Sequence, residues 1–260
     1  MIPPKVQRGG VTGPELALRS YILCGTAKGR NLVNIGIIGA GNIGATAARL
    51  FAGAGHRVAV SNSRGPETLR DLVSEMGESA RAMTVDEAAD FGKVVLLAVP
   101  WSRREEGLPS AGLLVDKIVI DAINPYTPDF RIEDLGDDTS SEDIARRLPG
   151  ARIVKAFNTM YYERLRDKGD TGVPAEDRLA LFVAGDDAQA KAVVSQLIED
   201  IGFAPVDTGS LSDGGRKQQP GSPVYNIPIE AGPAAREAGL SSQGTATGRK
   251  EGTYSSLQWD

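Results

Sequence analysis

The segment Gly39-Ala40-Gly41-Asn42-Ile43-Gly44 has the residue types and spacing to cradle a pyrophosphate. Gly39 permits a tight turn, Gly41 lets the backbone approach a phosphate with no Cβ between them, and Gly44 lets a following helix pack closely on the preceding strand. Beyond Ala40, the amides of Asn42 and Ile43 are expected to face the anion from the positive end of that helix. Such glycine spacing is a weak signal alone. Here the apolar run Val33-Asn34-Ile35-Gly36-Ile37-Ile38 precedes it and an Ala-rich helical pattern follows, which is the setting a dinucleotide fingerprint requires.

Which dinucleotide is decided about 20 residues further on, at the end of the second strand, Arg57-Val58-Ala59-Val60. A site for NAD(H) usually places an acid there to bind the ribose 2′-hydroxyl. This chain has Ser61-Asn62-Ser63-Arg64-Gly65, with its first acid, Glu67, after Pro66. The Arg64 fork and the Ser63 hydroxyl suit a 2′-phosphate, so the cofactor expected is NADP(H). The plainer alternative is a polar turn carrying one solvated arginine.

In a doubly wound sheet, ligands lie beyond the carboxyl ends of the strands. Four such ends carry polar or stiff residues: Val99-Pro100-Trp101, Asp121-Ala122-Ile123-Asn124-Pro125-Tyr126, Ala156-Phe157-Asn158-Thr159-Met160 and Gly185-Asp186-Asp187. The first three should line the nicotinamide side, and together the four describe a small polar pocket at one edge of the sheet, with Asn124 and Asn158 as neutral donors. Singly, Pro100 can stop a strand, Trp101 can be core, Asn124-Pro125 can be a turn, and Asp186 or Asp187 can cap a helix. No catalytic acid or base is assigned. His56 precedes the second strand, far from the pocket, and reads as a half-buried turn residue. Lys155 lies within a strand, and nothing singles out Tyr126, Tyr161 or Tyr162 as a proton donor. Hydride exchange between two heterocyclic carriers needs no such donor, because the accepting ring delocalises the charge and the protein mainly holds the rings together.

To bring these ends to one edge, the chain needs parallel strands joined by crossover helices, and its patterning supplies them from Val33 to about Thr208. Strands are expected at 33–38, 57–61, 94–99, 117–121, 152–156, 179–184 and 203–207. Helices are expected from Asn42 to Ala54, from a Ser140-x-x-Asp143 cap to Leu148, and from Ala188 to Ile201. The fold class is α/β, a doubly wound and mainly parallel sheet of the Rossmann type, occupying residues 33–209. Residues 1–32, rich in Gly, Pro and basic side chains, are expected to hold little order and to be a mis-called extension, with Val33 the true start. Residues 210–260, rich in Ser, Gly, Gln and Pro, are expected to form a mobile tail.

Composition narrows the partners. The 260 residues carry a formal net charge of −5, which favours neither nucleic acid nor an anionic membrane. The single cysteine, Cys24, and the single histidine, His56, leave too few soft ligands for zinc or an iron–sulfur cluster, so no metal is expected. No apolar run approaches the length of a spanning helix or a signal peptide, and the expected location is cytoplasmic.

The motifs IGIIGAGNIG at 35–44, Ser63-Arg64, VPW at 99–101, KAFNTMYY at 155–162 and LFVAGDD at 181–187 resemble the NADPH-dependent coenzyme F-420 reductase family over roughly residues 33–225. That resemblance implies hydride transfer between NADP(H) and a deazaflavin, coenzyme F-420. It implies phosphate contacts at Ala40, Gly41, Asn42 and Ile43, 2′-phosphate contacts at Ser63 and Arg64, nicotinamide contacts at Val99 and Pro100, and Asn158 near the second carrier. Where archaeal members continue into apolar helices, this chain continues into Arg216-Lys217-Gln218-Gln219-Pro220-Gly221-Ser222-Pro223. Two other readings compete: an NADPH-dependent reductase of a flavin, a metal chelate or a small imine, and a module that senses NADP(H) without turnover. Reductases of this size often complete their site across a homodimer, and a small-molecule redox carrier is the expected partner.

Overall fold

The computed structural model describes residues 26–27 and 30–232. A short antiparallel pair, Thr26–Ala27 with Arg30–Asn31, precedes an eight-stranded sheet. Its strands are β1 (Asn34–Ile38), β2 (Arg57–Ser61), β3 (Ala80–Ala82), β4 (Val94–Leu97), β5 (Ile118–Asp121), β6 (Arg152–Lys155), β7 (Ala180–Ala184) and β8 (Ala204–Gly209). Between them lie α1 (Asn42–Gly53), α2 (Arg70–Ser74), α3 (Val85–Phe91), α4 (Arg104–Gly107), α5 (Ser140–Arg147), α6 (Tyr162–Asp167), α7 (Ala188–Asp200) and, after β8, α8 (Asp213–Lys217).

The near-continuous apolar runs are explained by burial of both sheet faces, the condition of a parallel sheet covered by crossover helices. Val94, Leu96, Ile118 and Ile120 pack on one side with Phe51 of α1 and Val194, Leu197 and Ile198 of α7. Val95, Leu97 and Val119 pack on the other with Ala88 and Ala89 of α3 and Ile144 of α5. The strand order is β8-β7-β6-β5-β4-β1-β2-β3. The expected strands are present to within three residues at each end. The edge strand β3, three residues long with an exposed Arg81, had no apolar run to announce it. The α5 cap lies one residue earlier than expected: Thr139 and Glu142 form the reciprocal capping box, not Ser140 and Asp143.

The sheet is parallel from β3 through β6, and there the direction reverses. β7 pairs with β6 antiparallel through Lys155 and Ala184, while β8 runs parallel to β7. Gly185-Asp186-Asp187 therefore follows β7 toward the amino-terminal end of β6, away from the edge where it was expected to join the pocket. There Asp187 accepts from the amides of Gln189 and Ala190 at the start of α7, and from Arg152 at 2.6 and 2.8 Å. Asp187 is a helix cap, the plainer of the two readings its residue type offered.

That cap has a measurable signature. The Arg152 hydrogen bond, helped by the two amides and opposed by partial burial, pulls the Asp187 carboxyl from 3.8 down to about 2. A depressed carboxylate stabilises the fold fully above its unfolded value and ceases to do so as pH falls through its folded value. Asp187→Asn keeps a cap acceptor but loses the charge, so wild type should exceed it by about 1 kcal/mol near neutrality, allowing for solvent screening. Urea melts at intervals from pH 5 downward should show the gap closing between about pH 4 and 2, the window those two carboxyl values set.

The expected loose tail is packed over residues 210–232. Gln218 is fully buried, and Val224 and Ala231 join Phe182 and Val206 in a third apolar cluster. The segment then lies along β7, with Ala180 donating to the Ile229 carbonyl and Ala231 to the Arg178 carbonyl. Spacing gave no sign of this, because the contacts come one residue at a time from an irregular strap. Expectations for residues 1–25 and 233–260 lie outside the described residues.

Candidate functional site

The glycine loop has the geometry its residue types imply. Gly39 adopts φ +101°, and a Cβ there would sit 2.5 Å from the Ala98 carbonyl oxygen. A Cβ on Gly44 would sit 1.8 Å from the Gly39 carbonyl oxygen, so α1 packs against the turn with no room for a side chain. Gly41 is the opposite case: it caps α1, and a Cβ there would meet nothing within 4 Å. No side chain caps this helix, so its first amides, including those of Asn42 and Ile43, face the open side of Gly41. A pyrophosphate fits that cradle by charge and by space. Ala40 and Ile43 pack partly against the core beneath it.

The Ser61 to Arg64 segment divides into scaffold and reach. Ser61, expected at the cofactor, is fully buried and donates to the Ile37 carbonyl at 3.0 Å, while its own carbonyl accepts from Gly39. It locks β2 to β1 beneath the glycine loop. The Asn62 side chain accepts from the Arg64 amide at 2.9 Å and donates to Thr68 at 2.9 Å, so it too shapes the loop. Ser63 and Arg64 are exposed at its tip. Of the four residues expected to bind, these two have side chains turned outward.

At the next strand ends, Val99 is half-buried against Gly107, and Pro100 leads into a short 3-10 turn. Trp101 is core: it is 2% exposed, donates to Glu133 at 2.5 Å, and carries the Arg104 guanidinium 3.7 Å above its ring. His56 is fully buried, not half-buried. Its Nδ1 accepts from the Val33 amide, and its Nε2 lies 3.3 Å from Asp200, remote from the glycine loop.

Asn124 and Asn158 do meet. Asn158 donates to the Asn124 amide oxygen at 3.1 Å and to the Gln218 carbonyl at 2.8 Å. Asn124 donates to the Asn158 carbonyl at 2.9 Å and to the Tyr225 hydroxyl at 3.2 Å. Each amide has two hydrogens and both are used, so neither residue is the outward donor that was expected. The unused capacity is an acceptor, the buried Asn158 Oδ1, which has no partner among the described residues. The strap supplies Gln218 and Tyr225, residues that no motif marked, and the Tyr126 hydroxyl donates to Tyr225 at 3.3 Å.

Two features hold this seam in place. Phe157 has φ +66°, a strained value for a bulky residue that costs about 1–3 kcal/mol. Its buried ring packs edge-on against Phe51 at 5.8 Å, and the twist turns Asn158 toward Asn124. Asn226 then donates from its amide to the Thr159 carbonyl at 2.7 Å, and Arg164 grips Asn226 at 3.0 and 3.1 Å. Among the described residues, no three His, Cys, Asp or Glu side chains are grouped to hold a metal ion, and no helix is long and apolar enough to cross a membrane.

Comparison with known proteins agrees with this geometry. Residues 34–125, from β1 to just beyond Asn124, match the family model described as NADP oxidoreductase, coenzyme F420-dependent. A solved structure of protein SMa0349 from Sinorhizobium meliloti, of unassigned function, shares 34% identity and a TM-score of 0.67, covering 76% of this chain and 95% of its own. A protein from Arthrobacter sp. FB24, described as a candidate F420-dependent NADP reductase, has the same fold, with a TM-score of 0.64 at 24% identity over 76% of this chain and 99% of its own. Metalloreductase STEAP3 of Rattus norvegicus is 29% identical over 178 residues, which are 68% of this chain and 34% of that protein. The chain thus spans about a third of the length of that curated relative. The chain is thus related over most of its length to SMa0349, and its residues 34–125 belong to the family of NADP oxidoreductases described as coenzyme F420-dependent.

Proposed function

We propose that the protein moves a hydride between NADP(H) and a deazaflavin carrier of the coenzyme F-420 type. The observation that carries this reading is the open, uncapped cradle at Gly41 with the exposed Ser63-Arg64 tip on the adjoining loop. In it, the amides at the start of α1 hold the pyrophosphate, and Ser63 and Arg64 take the 2′-phosphate. Val99 and Pro100 flank the nicotinamide side. When bound, NADPH supplies the hydride, and the chain's own task is to bind, orient and exclude water. Asn124, Asn158 and Tyr225 form the polar wall beside it. A wall of two amides and a tyrosine hydroxyl suits a ring acceptor, which delocalises the charge it receives.

The likeness to metalloreductase STEAP3 favours a second reading, in which NADPH electrons reach a chelated metal ion. One assay separates them. Purified protein, NADPH and oxidised deazaflavin should bleach the deazaflavin absorbance, with NADH and free flavin as slower controls. Reduction of a ferric chelate without deazaflavin bleaching would discard the first reading in favour of the second. Tight NADPH binding with no acceptor reduced would leave only a sensor role.

A further inference from the structure

A buried and fully bonded ion pair lies next to the polar wall. Lys155, the last residue of β6, is 1% exposed, and Asp121, the last residue of β5, is fully buried. Their side chains meet at 3.1 Å. Lys155 Nζ also donates to the Ser140 hydroxyl at 3.1 Å and, through a very short contact, to the Ile123 carbonyl. Asp121 spends its other oxygen on the Ile123 amide at 2.9 Å, while the oxygen that faces Lys155 also accepts from Ser141 at 2.6 Å. The pair therefore holds Ile123 at both its N–H and its C=O. The next residue is Asn124, whose side chain reaches Asn158 and Tyr225.

We infer that Lys155 is a positioning residue: with Asp121 it fixes the Ile123–Asn124 peptide, and so sets the direction of the amide that joins the acceptor wall to the C-terminal strap. Hydrophobic residues of similar volume would fill this site without the cost of burying two charges, so packing alone does not call for an ion pair here. The pair supplies direction, because Asp121 holds the peptide N–H before Ile123 and Lys155 holds the carbonyl after it, each through a charge-assisted hydrogen bond. Burial pushes the Lys155 ammonium below its ordinary value, and the facing Asp121 carboxylate opposes that shift. Lys155 is sealed from solvent and acts through the peptide it holds. The inference rests on the proposed reading that this edge receives the acceptor, and its test includes a measurement independent of turnover.

The variant Asp121→Leu/Lys155→Met removes both charges together, avoiding the lone buried charge that a single substitution would leave. It should fold, bind NADPH within about twofold of wild type, and exchange the Ile123 backbone amide about a hundredfold faster. The KM for deazaflavin should rise about tenfold or more, because a loosened wall presents the acceptor in fewer productive poses. A folded variant with wild-type exchange, or with a wild-type KM, overturns the inference. If wild type reduces no acceptor, the functional reading falls by itself. Exchange and the Asn124 side-chain amide resonances then decide the positioning claim, and unchanged resonances sink it. Should the double variant fail to fold, Ser141→Ala, which removes one neutral support of Asp121, is expected to speed the same exchange by about tenfold. Wild-type exchange there also overturns the claim.

Discussion

A Gly44→Ala chain is expected to lose about 3 kcal/mol of stability or more, an extreme cost for one methyl group. The added Cβ would stand 1.8 Å from the Gly39 carbonyl oxygen and 3.4 Å from the Ala98 Cβ. A backbone carbonyl cannot swing aside as a flexible side chain does, so α1 must lift from β1 or the turn must open. Either movement disturbs the Ala47, Ala48 and Phe51 face of α1, which is fully buried in the core. For a domain of this size the melting temperature should fall by about 6–12 °C. Because the same movement carries the first amides of α1 away from the cradle, NADPH affinity should fall in whatever fraction remains folded. A melting curve within 2 °C of wild type would show that the close approach of helix and turn has been misplaced.

Positions of this kind were legible without coordinates, because a close approach leaves glycine in the sequence and glycine sits at regular spacing only where it is required. The strands themselves were legible for a related reason: Val94-Val95-Leu96-Leu97 and Ile118-Val119-Ile120 are buried on both faces, so their apolar character is continuous. Direction was not legible. Whether β7 runs with or against β6 depends on the long excursion through α6, and no residue of β7 records it, so Asp186 and Asp187 were placed at the wrong edge. The strap was hidden for another reason. Gln218, Tyr225 and Asn226 each make one to three specific hydrogen bonds to residues about 60–100 positions away, and such partnerships leave no period in the chain. Ser61 and Asn62 use their side chains to shape the loop, a role the sequence could not separate from ligand contact, since a hydroxyl or amide that shapes a turn is the same residue type as one that binds a phosphate.

The division of the loop into scaffold and reach gives the second prediction with a large effect. Arg64→Ala should weaken NADPH by about 1.5–3 kcal/mol, the scale of a hydrogen bond to a charged group, which is roughly a 10- to 150-fold rise in Kd. NADH, lacking the 2′-phosphate, should bind the variant nearly as it binds wild type, and fluorescence titrations with both dinucleotides would measure the two losses together. The fold should be untouched, because Arg64 is exposed and its side chain has no ion-pair partner among the described residues. Its backbone amide remains bonded to Asn62, so the loop keeps its shape when the side chain is cut. Asn62→Ala makes the contrasting case. It removes the acceptor for that amide and the bond to Thr68, so the loop tip loses its fixed form and Arg64 is no longer aimed. If the two substitutions cost NADPH equally and both also cost NADH, the loop acts on the shared ribose and not on the 2′-phosphate, and the preference for NADP(H) must be sought elsewhere along the β2 edge.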